Sequence, residues 1–254
     1  MFGWLRRHPP GRPIPDALWD RVLTRYPFLA VRAEPERRRL RELAAQFLAS
    51  KEFHGAQGFV ITDEVALSIA VQAVLPVLHL GLGWYDDFVG IVVHPEQVLA
   101  RRTTTDESGV VHQWTEALAG EAMDRGPVML SWRDVEDAGA TAQQGYNLVI
   151  HEFAHKIDMR DGQADGCPPL PSRTARAAWL ATLETEYRAF RERVIVAERF
   201  GGPVQWLDAY GATSIDEFFA VACEAYFVNR ERFKEDFPAL VSLFDPFFRF
   251  PTGF

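Results

Sequence analysis

Cysteine is nearly missing from this chain, with two among 254 residues, Cys167 and Cys223. A single bridge is the most they can form, which excludes a disulfide-stapled secreted scaffold. Long apolar runs are missing too. The longest, from Val65 to Leu82, is interrupted by Ser68, Gln72, Pro76 and His79, whereas a bilayer span needs about 18 uninterrupted apolar residues. The opening MFGWLRRHPP lacks the apolar stretch of a secretion signal. The expectation is a soluble protein in a reducing cytoplasm, with no membrane partner. An excess of positive charge is also lacking: Lys and Arg number 27 against 35 Asp and Glu, a formal charge of -8. Little is left to neutralise a phosphate backbone, so no direct nucleic-acid contact is expected. The exception, Arg37, Arg38, Arg39 and Arg41, reads as the solvated face of a helix more readily than as a phosphate patch.

What is present is material for a core. Hydrophobic residues make up 48% of the chain, enough for one large domain or a domain with a helical appendage. Four prolines within residues 1–15 suggest an extended lead-in. Asp16 then caps a short helix holding Leu18, Trp19, Val22 and Leu23. A second helix is expected from Glu34 to about Phe53, its stripe being Leu40, Leu43, Ala44, Phe47 and Leu48. Thr62 or Asp63 caps a third that runs toward Pro76. Strand signals follow at Phe88 to Val93, at Val110 to His112 after the turn cluster Asp106-Glu107-Ser108-Gly109, and at Val128 to Trp132. Further helices are expected from about Thr141 to Met159, from Arg173 to Phe200, and from Ser214 to about Asn229, before an irregular tail from Phe244 to Phe254. The fold class is therefore α+β and mostly helical, with a small sheet. Residues 1–80 form an N-terminal helical region packed on a catalytic region of residues 81–254, together one compact unit.

Inside the first of those later helices stands His151-Glu152-Phe153-Ala154-His155, an H-E-x-x-H pentad. Residues four apart share a helix face, so both imidazoles can reach one metal ion. Glu152, one step round, can hold a proton for a metal-activated water, as in a zinc hydrolase. The flanking Leu148-Val149-Ile150 implies a buried helix, where two His and a Glu are costly unless paired or metal-bound. A catalytic zinc needs a third protein ligand. None of the other histidines (His8, His54, His79, His94, His112) follows the pentad, so a downstream ligand would be a carboxylate. Glu217 and Glu224, two turns apart on one helix, are the candidates. Ser214-Ile215-Asp216-Glu217 also matches a capping box, which would occupy Glu217 otherwise. Asp158 could orient a ligand imidazole or be solvated near the helix end.

The string Gly145-Tyr146-Asn147-Leu148-Val149-Ile150-His151-Glu152-Phe153-Ala154-His155-Lys156-Ile157-Asp158 resembles the motif helix of the MtfA family, bacterial zinc peptidases also called Mlc titration factor A. Thr62-Asp63-Glu64 through Leu75-Pro76-Val77-Leu78, and Leu207 to Thr213 followed by Glu217-Phe218-Phe219-Ala220-Val221, are similar to two further stretches of that family. The likeness runs from about residue 14 to about residue 245. It implies a zincin-like core similar to that of the anthrax lethal factor protease and one zinc ion held by His151, His155 and Glu217. It implies Tyr210, seven residues before Glu217, as a catalytic aid that donates to the oxyanion; without the resemblance Tyr210 would read as a core aromatic. Where many gluzincins carry Asp four residues after the ligand Glu, this chain has Val221. Support for the metal ligands must then come from elsewhere, with Glu224 or Asp158 the candidates.

The resemblance implies an aminopeptidase-like zinc metallopeptidase acting on peptide substrates, and a link to the regulation of sugar uptake. The alternative is a binding protein that sequesters a transcriptional repressor of the Mlc type, with peptidase activity secondary; the chain's acidic charge would then meet the basic face of a DNA-binding protein. The strand around Val128 to Trp132 is the expected dock for a substrate backbone.

Overall fold

The computed structural model describes residues 11–249 apart from 106–110, and for 98–105 and 111–118 the backbone alone. The cluster Asp106 to Gly109, most of the proline-rich lead-in and the end of the tail lie outside the described residues. Three N-terminal helices come first, α1 (Asp16–Arg25), α2 (Pro27–Ala30) and α3 (Glu34–Ser50). The apolar stripe of α3 is buried at Leu40, Leu43, Ala44 and Phe47. Lys51 then turns extended (φ -115°, ψ 152°), and the chain enters strand β1 (Glu52–Gly55) where the sequence pattern suggests more helix. Thr62 Oγ accepts from the Val65 amide at 3.2 Å and starts α4 (Asp63–Ala73).

Strands β2 (Gly90–His94), β3 (Val98–Thr105), β4 (Val111–Leu118), β5 (Gly120–Ala122) and β6 (Val128–Ser131) follow. β3 and β4 pair antiparallel as a separate ribbon. The main sheet has the order β1-β2-β6-β5, with β1, β2 and β6 parallel and β5 antiparallel to β6. β1 comes from the first 80 residues and β2 from the rest, so hydrogen bonds cross that boundary. Ile91, Val93, Val128 and Leu130 alternate toward the core and are buried.

Val128 to Trp132 is a strand only as far as Ser131. Its Oγ accepts from the Asp134 amide, and Trp132 opens α5 (Trp132–Thr141). The pentad helix is shorter than its apolar pattern implies. Gly145 adopts a left-handed φ of 79°, which ends the preceding turn, and Asn147 Oδ1 caps the Ile150 amide at 2.9 Å to begin α6 (Leu148–Asp158). α7 (Arg173–Phe200) is capped by Ser172 at one end and by Gly201, at φ 71°, at the other. α8 (Ile215–Val228) lies against α6. α9 (Arg230–Asp236) and α10 (Pro238–Phe244) follow, then a π turn at Asp245–Arg249 in place of an irregular segment. No helix among the described residues is long and apolar enough to cross a membrane.

All eleven residues of α6 are buried, as are Phe218 to Val228 of α8. Phe153 holds α6 to the N-terminal layers, its ring 5.0 Å from Tyr85, 5.7 Å from Phe47 and 5.9 Å from Phe88. Phe153→Ala is expected to cost about 3–5 kcal/mol in a urea unfolding titration. A loss under about 1 kcal/mol would mean that this cluster does not anchor the helix.

Candidate metal centre

Helical spacing places His151 and His155 one turn apart on α6, and their Nε2 atoms approach to 3.2 Å. Glu217 enters from the first turn of α8, where the positive helix end favours a carboxylate. Its Oε2 lies 3.0 Å from His151 Nε2 and 3.2 Å from His155 Nε2. These are donor-to-donor separations of a tetrahedral zinc site, for which bonds of about 2.0–2.2 Å imply about 3.3 Å between ligand atoms. Among the described residues, His151, His155 and Glu217 are the group able to hold a metal ion. Ser214 heads α8 without a side-chain cap bond, so the capping-box alternative for Glu217 is not what the structure adopts.

Glu224, two turns further along α8, is not in that cluster. Its Oε1 accepts from His151 Nδ1 at 2.8 Å, which orients the imidazole and turns Nε2 toward Glu217. Its Oε2 accepts from the Asn147 amide. Asn147 Nδ2 donates to Gln72 Oε1 at 2.7 Å, and Gln72 Nε2 to the Ser68 carbonyl at 2.9 Å. A buried hydrogen-bonded chain therefore runs from α4 to the imidazole. Asp158 does neither of the jobs considered for it. It is fully buried, Oδ2 accepts from the Gly166 amide at 2.9 Å, and Oδ1 has no partner. Burial pushes its carboxyl up to about 7.

Charge at the centre is arranged to attract a cation. Burial disfavours charge on Glu217, but hydrogen bonds and charge from His151 and His155 outweigh it and hold the carboxyl well below its ordinary range. Burial likewise works against a charged His151, yet Glu217 and Glu224 raise its pKa well above the usual value. The donor set thus draws a proton between its atoms, as it would a divalent ion competing for the same lone pairs. Glu152 is buried beside them, and burial lifts its carboxyl to about 7.

Tyr210 stands at the mouth of the cleft and not in the core. It is 39% exposed, its hydroxyl donates to Glu217 Oε1 at 3.3 Å, and its ring is 6.1 Å from that of His151. Asp208 fixes the backbone there by accepting from the Tyr210 amide at 2.9 Å. The cleft, about 420 Å³, is walled opposite by Ala119, Gly120, Glu121 and Ala122. Strand β6 cannot receive a substrate backbone, because β2 and β5 occupy both its edges. The outer strand is β5. Ala119 O and Met123 N bond toward β6, so by alternation the backbone groups of Gly120 and Ala122 face away from it.

Gly120, Asn147 and Gln72 are site residues that motif reasoning passes over. Asn147 carries a signal, a capping side chain ahead of an apolar run; Gly120 carries none. A Cβ on Gly120 would sit 2.4 Å from Glu152 Oε1.

An α+β metallopeptidase core is the class that this sheet, the buried pentad helix and the three converging donors define. The chain belongs to the glucose-regulated metallo-peptidase M90 family, whose model matches residues 2–249. It is 37% identical over 250 residues to Mlc titration factor A of Edwardsiella ictaluri, covering 98% of this chain and 93% of that protein. Proteins of the same name from Yersinia pestis and Yersinia pseudotuberculosis are 33% identical, with 98% of this chain and 90% of theirs covered.

Two substitutions probe the geometry. Glu224→Ala should weaken metal binding roughly 10–100-fold in a chelator competition by freeing the His151 ring; unchanged affinity would remove Glu224 from the site. Gly120→Ala should displace the Glu152 carboxylate, visible as a shifted side chain in a crystal structure of the variant, with α6 in place.

Proposed function

We propose that the chain is a zinc-dependent peptidase that hydrolyses peptide or aminoacyl amide bonds, with Glu152 as general base. The observation that carries this reading is the meeting of His151 Nε2, His155 Nε2 and Glu217 Oε2 within 3.0–3.2 Å of one another, beside a buried carboxyl. Zinc at these donors supplies Lewis-acid chemistry, polarising a carbonyl and bringing the pKa of water down to about 7. Glu152 takes the proton of the attacking water on its carboxylate and returns it to the leaving amine. The Tyr210 hydroxyl turns from Glu217 toward the substrate carbonyl oxygen and donates to it as negative charge develops there. The substrate backbone lies along β5, pairing with the outward groups of Gly120 and Ala122 as an added strand. Glu224 keeps the His151 ring from rotating.

Free, buried Cys167 and Cys223 suit a reducing cytoplasm. The relatives' name, Mlc titration factor A, supports a second role, binding of a transcriptional repressor of the Mlc type. That role can coexist with hydrolysis.

The test is hydrolysis of chromogenic amino-acid amides and short peptides. Chelation should abolish it and zinc restore it. Glu152→Gln should lower kcat about 10²–10⁴-fold while retaining metal, and Tyr210→Phe about 10–10²-fold. Equal rates for the wild type, the chelated protein and Glu152→Gln would reject the peptidase. For the second role, Glu152→Gln protein immobilised as bait should retain a purified repressor of this type; its failure to do so would remove that reading alone.

A further inference from the structure

One turn beyond Glu152 on α6 stands Lys156, whose side chain is fully buried, with 1% of the residue exposed. Its ammonium donates to the carbonyl oxygens of Met123 and Gly126, the latter at 2.8 Å, and lies 4.6 Å from the centre of the Phe88 ring. Phe88 is itself fixed by a second lysine, since Lys51 Nζ donates to its carbonyl at 2.6 Å and to that of Tyr85 at 2.5 Å. Met123 to Pro127 is the turn joining β5 to β6, closed by the Gly126 amide on Met123 O at 3.1 Å. Arg125 within it holds a left-handed φ of 50°, a conformation that a side chain beyond glycine adopts at a cost. A strained turn at the end of a three-residue edge strand needs an outside restraint, and Lys156 is bonded to two of its carbonyls.

We propose that Lys156 is a positioning residue that pins the β5–β6 turn to the metal-donor helix and thereby sets where a substrate strand lies relative to Glu152. The same helix carries the base and the clamp, four residues apart. The two are in close contact, because a Cβ on Gly120 of β5 would meet the Glu152 carboxyl at 2.4 Å and force it to shift. Packing alone does not call for a lysine. A methionine of similar length would fill the space against Phe88 without desolvating a charge. What methionine cannot do is hold the two carbonyls. The substrate part of this inference rests on the peptidase reading; the grip on the turn does not.

The experiment compares the zinc-loaded wild type with Lys156→Met by hydrogen exchange, thermal unfolding, zinc content and kinetics. Within residues 120–126, exchange of the hydrogen-bonded amides, those of Met123 and Gly126 among them, should speed up roughly tenfold or more in Lys156→Met while α6 and α8 stay protected. Zinc per chain should equal that of the wild type, and Tm should fall by about 2–8 °C, as expected when two carbonyls lose their donor. An extended peptide should lose roughly tenfold in kcat/KM, chiefly through KM, while a single amino-acid amide too short to reach β5 changes less than about threefold. Lys156→Leu, which likewise lacks a donor, is run in parallel and read in the same way should the methionine variant fail to fold. Unchanged exchange in residues 120–126 overturns the proposal, as does an equal loss on the long and the short substrate. If the wild type cleaves neither, the peptidase reading fails while the exchange result still decides the role of Lys156.

Discussion

Burial of α6 is the constraint on which the rest depends. The helix is apolar enough to sit at the centre of the molecule, yet it carries two histidines, a glutamate, a lysine and an aspartate into that centre. Each polar group removed from water must be met by a partner or lose several kcal/mol of order. The partners come from every side: Glu217 and Glu224 from α8, the turn carbonyls of residues 123 and 126, and the Gly166 amide. The architecture around α6 is therefore arranged as a set of answers to charges that the motif places inside.

This makes site and core one object. Phe153, inside the pentad, locks the helix among Phe47, Tyr85 and Phe88, while His151, Glu152 and His155 line the cleft. α8 likewise buries Phe218 and Phe219 with one face and presents Glu217 and Glu224 with another. Tetrahedral ligand geometry tolerates errors of a fraction of an ångström, and close packing supplies that accuracy more reliably than a loop would. Tyr210 is the exception. It sits on a short 3-10 turn at the surface, held by Asp208, with its hydroxyl on Glu217.

The class of fold, the pentad helix, α7 and α8 were legible because strong apolar periodicity and capping residues agree there. Short elements were not. β1 follows α3 with no breaker residue between them, so its onset at Glu52 looked like helix. β5 is three residues long with little apolar content, and its place at the sheet edge depends on pairing with residues 128–130, which spacing does not encode. Glu217 and Glu224 could be named as candidates from their shared helix face. Their different tasks could not, because the two-turn separation decides only that both point toward α6; which one meets Nε2 and which meets Nδ1 depends on where α8 crosses. Asp158 was misjudged in both directions for the same reason, since its partner Gly166 belongs to a loop.

The account stands or falls on a cation shared by two rings and one carboxylate. Anomalous diffraction at the zinc edge, on crystals of the zinc-loaded protein, tests that most directly. The account predicts one peak per chain, about 2.0–2.2 Å from His151 Nε2, His155 Nε2 and a Glu217 oxygen, with Glu224 still on His151 Nδ1. No peak at those three atoms, or a metal bound to Glu224 in place of Glu217, would contradict it.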